Sequence, residues 1–454
     1  MAEIEKQYPH LAALADSYRL PPQGRAAVRE SYDAFRRFHG PFITSIAGQM
    51  LPDLRVDAER GRTIVFLGRD GHSFAAATRA LAPEFFARHC REVVLSRVVA
   101  ETAIQDLERH RGSSFPEIEA FRGTRGRVAP ESVPGAYRQL TAYLRNAGVP
   151  VGREGSRVTV VDSSFKGTVQ EMLTAAYERT DFQGRYAFFG AAPGDPRPER
   201  KHGYVVHLQA EQTGEGKGFP FEDLHPDAAW TFASKEPINA IEDALNGPMD
   251  TPLGMTAGGP VQRPQREDPE AVRGFNPLLM PQRFRDPVTR EAVKAAGLLA
   301  VHDAAAERAG GQSSPDWLNL RLQERAEFTD SIRQWASRSD RVDPLLKTVL
   351  DSVVRRADHP VYTQLQDSFT EKGISERQAR HVWRHMEELP QRDVRAAFAR
   401  SMIAPQHREE FEAARLASLG YPGSASRATA RPPQQGNTPP APGPQTDRPQ
   451  GQER

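Results

Sequence analysis

VTVVDSSFKGT, residues 158–168, is the stretch on which the fold turns. Val158 to Val161 are short, apolar and β-prone. Asp162 ends the run, and Ser163, Ser164, Phe165, Lys166 and Gly167 follow as a small, flexible turn. Val169 to Tyr177 then shows helical spacing. A strand, a turn and a helix in this order form half of a βαβ unit. TIVFLGRDG at 63–71 repeats the pattern, with an Ala-rich helix from Ser73 to Leu81. Further short strands are expected at Val93–Leu95, Tyr186–Phe189 and Gly203–Leu208. Short apolar strands alternating with helices predict an α/β fold, a mostly parallel sheet with helices on both faces.

Around this core the chain divides by texture. Residues 24–50 carry Val28, Tyr32, Phe35, Phe38 and Phe42 at helical intervals, with Pro41 as the expected end or kink. The expected division is an N-terminal helical segment (1–54), the α/β domain (55–260), a linker rich in Pro, Gly, Arg and Asp (261–287), an all-helical region (288–415) and a disordered tail (416–454). Helices are expected over 288–308, 316–338, 342–357 and 373–402. Trp317, Leu320, Phe328, Ile332 and Trp335 form an apolar stripe there, read as core packing.

Composition bounds the function. The 454 residues include 60 basic and 59 acidic side chains, a net charge of +1. Such balance removes the electrostatic argument for binding nucleic acid or an anionic membrane. The single Cys90 excludes an internal disulfide framework and a cysteine zinc cluster. No apolar run reaches the roughly 18 residues that span a bilayer, and the N-terminus lacks the basic end and apolar core of a signal peptide. A cytoplasmic protein is the expectation, with oligomerisation left open.

The chemistry is expected at the two turns. Strands of open α/β sheets deliver their carboxyl ends to the ligand crevice. A glycine turn there directs backbone N–H groups outward, and the next helix adds its positive end. Gly68-Arg69-Asp70-Gly71 suits a phosphate, with Arg69 as an anion fork and Asp70 as a metal ligand or as the orienter of Arg69. Asp162 can accept from sugar hydroxyls, and Ser163 to Thr168 can enclose a phosphate. The plainer accounts are a tight βα turn and an Asp helix cap. Neither GxxxxGK[ST] nor GxGxxG is present. Ser96 and Arg97 follow the second strand. His202 and His207, five apart on one strand, are expected on opposite faces, against a shared metal. Glu211, Glu222, Asp223 and His225 read as a solvated acidic loop. Glu242 and Asp243 read as cap or salt-bridge residues of a helix, and Cys90 as a buried or idle thiol.

Two resemblances follow from these residues. Asp162 to Thr168, preceded by four apolar or β-prone residues, resembles the ribose-phosphate loop of type I phosphoribosyltransferases, and Ile64 to Gly71 with its Ala-rich helix resembles their pyrophosphate loop. The family pattern has two adjacent acids where this chain has Asp162 and Ser163. The resemblance implies a phosphorylated-ribose ligand (phosphoribosyl pyrophosphate or a nucleotide), Mg2+ held by Asp70 and Asp162, the 5-phosphate on Ser163–Thr168 and pyrophosphate on Gly68–Gly71.

FLGRDG (66–71), LSR (95–97), VVDSSFKGTVQ (160–170) and INAIEDALNGPMDTPLG (238–254) also resemble a module of bacterial predicted haloacid-dehalogenase-type hydrolases associated with polysaccharide clusters. That likeness implies a phosphatase with Asp70 as nucleophile, Ser96 as phosphate hydroxyl and Asp162 as metal ligand, with His72 where the second acid of the motif would stand. A non-catalytic nucleotide-binding regulatory module is the third reading, and whether the protein is an enzyme stays open.

Overall fold

The computed structural model describes residues 8–209, 228–268, 271–312, 314–389 and 391–419. Of the expected disordered tail (416–454), residues 416–418 end a helix instead, and the rest from residue 420 on, with Glu211, Glu222, Asp223 and His225, lies outside the described residues. The chain forms two compact units, Met1–Glu388 and Leu389–Arg454.

The first unit begins with α1 (Pro9–Ser17), α2 (Pro22–Ala34) and α3 (Gly40–Glu59). Pro41 does not end the helix. Residues Phe35–His39 wind as one π-helical turn that joins α2 to α3 without a break, and Pro41 lies directly after that turn, at the start of α3. Then come β1 (Thr63–Gly68), α4 (His72–Leu81), α5 (Pro83–His89), β2 (Cys90–Val94), α6 (Arg97–Arg111) and α7 (Ala136–Asn146). β3 (Ser156–Asp162), α8 (Thr168–Ala176), β4 (Thr180–Gly190) and β5 (Lys201–Leu208) complete the sheet.

Five strands pair in the order β2-β1-β3-β4-β5, all parallel. Alternation within single strands explains the layers. Ile64 and Phe66 of β1, with Val161 of β3, face a core shared with α2, α3 and α4, whereas Val65, Leu67, Val158 and Val160 face α6, α7 and α8. Both faces are covered, so most positions of β1 and β3 are apolar, with Thr159 buried and bonded to Asp57.

α9 (Lys235–Leu245) and a hairpin of β6 (Gly254–Thr256) and β7 (Gly259–Val261) follow. α10 (Pro287–Arg308), α11 (Pro315–Ala336), α12 (Pro344–Val353), α13 (His359–Glu371) and α14 (Glu376–Glu388) close the unit. Ala292, Val293, Ala296 and Ala300 of α10 are buried in the same cluster as Tyr32, Phe42, Phe66 and Phe188. The segments expected at 1–54, 55–260 and the front of 288–415 therefore share one core. The expected linker 261–287 begins at the last residue of β7 and carries two short 3-10 turns.

Phe328, Ile332 and Trp335 of the expected stripe are buried, whereas Leu320 is 51 % exposed. One helix expected over 373–402 is two: α14 ends at Glu388, and the second unit has its own helix, α15 (Arg392–Ile403), followed by α16 (Arg408–Ser418). Phe398 and Phe411 meet edge to face there, ring centroids 5.2 Å apart.

His202 and His207 correct a parity argument. Tyr186 and Phe188 of β4 face Gly203 and Val206 of β5, so β5 holds one extra residue in a bulge. The bulge cancels the alternation and brings the two rings to 5.2 Å, on one side of the strand. The Gly203 N–H donates to His207 Nδ1 at 3.1 Å.

Candidate functional site

In the order β2-β1-β3, the chain leaves β1 for one neighbour and returns for the other, so the carboxyl ends of β1 and β3 bound the switch point where ligands of open α/β sheets bind. A pocket of about 460 Å3 opens there. Four segments far apart in sequence line it. Leu67, Gly68, Arg69 and Asp70 come from the end of β1, and Leu95, Ser96 and Arg97 from the end of β2. Asp162, Ser164, Phe165, Lys166 and Thr168 come from the β3–α8 turn, and Ile238, Asn239, Glu242, Thr251 and Pro252 from α9 and the loop after it. These are the four segments that carry the second resemblance.

Arg69 and Asp162, the two residues on which a shared site depends, thus face one pocket. Gly71, Ser163 and Gly167 do not line it and serve the turns themselves. A Cβ on Gly71 would meet the Leu67 carbonyl oxygen at 2.5 Å, and its N–H donates to that oxygen at 2.8 Å. Gly167 caps α8 at φ +70°, and a Cβ there would meet Tyr186 Oη and Lys201 Cε, each at 2.9 Å. Lys201 cannot retreat, because its buried ammonium pairs with Glu171 at 2.7 Å and Asp195 at 2.6 Å. Gly167→Ala is expected to cost about 1–2 kcal/mol from the backbone alone, with the Lys201 contact added. Urea denaturation checks this, and an unchanged midpoint would show that the turn is not held as described. The Gly68–Arg69 and Ser164–Phe165 peptide bonds are both cis.

The serines do not stand free. Ser163 Oγ donates to Glu242 Oε1 at 2.7 Å, and Ser164 Oγ donates to the same oxygen. The Ser163 N–H donates to Asp162 Oδ1 at 2.8 Å. Two hydroxyls expected to hold a phosphate therefore hold a carboxylate. Thr168, the first residue of α8, lines the pocket, so the positive end of that helix lies at it, where an anion is favoured.

Three carboxylates face one another across the site. Burial raises Asp70, opposed by Arg69, with Asp243 adding to the rise. Burial and then Asp70 raise Asp162 well above the carboxylate range, against the Ser163 amide. Burial and Asp70 push Glu242 up to about 7, against the Ser164 and Ser163 hydroxyls. Asp70 Oδ1 is buried with no hydrogen-bond partner among the described residues. Arg69, Arg97, Lys166 and Lys235 supply positive charge to the same pocket. The site can therefore hold a ligand with hydroxyls toward the carboxylates and phosphates toward the cations.

Two candidates are engaged elsewhere. Ser96 caps α6, accepting from the Val99 N–H at 3.1 Å and donating to the Pro252 carbonyl at 2.6 Å. His72 is not among the lining residues, and its Nδ1 lies 3.6 Å from Glu92. Glu242 is the residue sequence reasoning undervalued. A carboxylate on an amphipathic helix looks like any solvated one, and its place within the 238–254 match was the only signal. Cys90 is buried, and burial pushes its thiol up to about 12, so it is not a ready nucleophile.

Among the described residues no three His, Cys, Asp or Glu side chains are grouped to hold a metal ion. Among them, too, no helix is long and apolar enough to cross a membrane. Neither a protein-family model nor any curated protein sequence matches the chain.

Proposed function

We propose that the protein binds a phosphorylated ribose bearing a diphosphate, such as phosphoribosyl pyrophosphate or a nucleotide, and acts on it in the manner of a phosphoribosyltransferase. The observation that carries this reading is the opening of Arg69 and Asp162 onto one pocket at the switch point. The amides before α8 and Lys166 take the 5-phosphate. Asp162 accepts from ribose hydroxyls, and Arg69 forks onto the diphosphate.

Glu242, beside Asp162, brings from α9 the second carboxylate that Ser163 does not provide. Cleavage at C1 through an oxocarbenium-like state asks the protein mainly for positioning and charge neutralisation. Mg2+ commonly takes one or two carboxylates and completes its shell with substrate phosphates and water. The unpartnered Asp70 Oδ1, with Asp162 nearby, fits that donor set, and the ion would offset charge on the diphosphate.

Phosphate-ester hydrolysis at Asp70 is the weaker reading, because Ser96 is occupied as a cap and His72 pairs with Glu92. A thermal-shift series tests the proposal. Phosphoribosyl pyrophosphate with Mg2+ is expected to stabilise the protein by about 2.7 kcal/mol at a hundredfold excess over its Kd, and free ribose not at all. Equal shifts from orthophosphate alone, or none from any phosphorylated ribose, would overturn it.

A further inference from the structure

Arg69 lines not one cavity but two. The second, of about 40 Å3, has Asp243, Asn246, Asp250, Gln265, Asp268, Arg290, Lys294 and Arg355 in its wall. At roughly 10–15 Å3 for each water centre, it has room for about three waters or one compact oxyanion. Arg290 and Lys294 of α10 are only 3 % and 4 % exposed. Lys294 donates to Asn246 Oδ1 at 2.8 Å and to the Asp243 carbonyl. Arg290 donates to the Ser352 carbonyl and lies over the Phe275 ring, 4.8 Å from its centroid. Its Nε, buried, has no hydrogen-bond partner among the described residues.

Four cations, Arg69, Arg290, Lys294 and Arg355, therefore surround a space too polar to stay dry. Asp243, Asp250 and Asp268 face it as well. Yet among the described residues no ion pair joins any of the four cations to a carboxylate; Asp243 accepts instead from the Arg355 backbone N–H at 3.0 Å. Two of the four, Arg290 and Lys294, are buried, and buried cations without carboxylate partners are costly unless something else compensates them. Burial pushes Lys294 down to about 7, with Asp243 opposing and Arg290, Arg69 and Arg355 adding to the fall. An oxyanion would reverse that balance by offsetting the mutual repulsion of the cations.

We propose that this cavity is an oxyanion subsite for the distal phosphate of a diphosphate ligand, with Arg69 shared between it and the main pocket. The proposal rests on the main pocket taking a phosphorylated ribose, and it assigns the distal phosphate of that ligand's diphosphate to residues of α10 and Arg355. The test is calorimetric titration of the full chain with inorganic pyrophosphate, orthophosphate and ribose 5-phosphate, in wild type, Lys294→Met and Arg355→Gln. Arg355 is exposed, so the second variant folds even where the first does not.

Wild type is expected to prefer pyrophosphate to orthophosphate by about tenfold or more, and each variant to lose about tenfold in pyrophosphate affinity alone, the worth of one charged hydrogen bond. Proton uptake on pyrophosphate binding near pH 7 is expected as well, and is to be lost in Lys294→Met. The subsite is overturned if pyrophosphate binds no better than orthophosphate, or if the preference survives both variants. With ribose 5-phosphate still bound, such a result leaves the main-pocket reading standing. Failure of wild type to bind any of the three overturns both.

Discussion

Asp162→Asn is expected to make the protein more stable above neutral pH and to weaken phosphoribosyl pyrophosphate binding by about 10–100-fold, the loss of one or two hydrogen bonds to a charged group. The two effects have one cause. Asp162 sits at the end of a buried strand, where burial and the neighbouring Asp70 oppose its ionisation. Asn keeps the oxygen that accepts from the Ser163 N–H and removes the charge that the fold resists. A residue that lowers stability where it stands is retained for what it does there. Binding calorimetry beside urea denaturation at pH 8 checks both halves. A variant that is less stable and binds as wild type would mark Asp162 as a structural cap.

Glu242→Gln is expected to leave stability unchanged near pH 4 and to raise it by on the order of 1–3 kcal/mol at pH 8. Glu242 titrates at about 7 in the fold, against about 4.3 for an unperturbed glutamate. Between those values the folded chain holds a proton that the unfolded chain has released. Stability from this group is thus complete below about pH 4, falls through the window and levels off above 7. Buried His39, pushed down to about 4 by desolvation, contributes the opposite slope up to about 6.5. The difference between variant and wild type, rather than either curve, therefore reports Glu242. Denaturation midpoints at pH 4, 5, 6, 7 and 8 give that difference. A constant offset across the series would show that Glu242 ionises as an ordinary surface carboxylate.

The parts of the fold that sequence revealed are those whose burial is two-sided. β1 and β3 read as short runs of apolar or β-prone residues because helices cover both faces, and their glycine and serine turns follow directly. β4 was legible only in its last residues. Its first half alternates Phe182 and Gly184 with Gln183 and Arg185, and Arg185 is there to pair with Asp57 at 3.1 Å. The bulge in β5 is a property of pairing, which no count along one strand contains.

For the site, the turns were legible and their partners were not. Ser163 and Ser164 look like phosphate donors until α9, some eighty residues on, places Glu242 against them. The buried cations of α10 were equally hidden, since Arg290 and Lys294 in sequence resemble the solvated face of any helix.

The central claim is that the turn after β1 and the turn after β3 wall one ligand site. A double-mutant cycle on phosphoribosyl pyrophosphate binding tests it most directly, with Arg69→Ala, Lys166→Ala and the pair measured by calorimetry. Each single change is expected to weaken the same ligand by about tenfold or more, and the double variant to bind more weakly than either. A ligand that loses affinity with one variant and binds the other as wild type would show two unconnected turns and contradict the account.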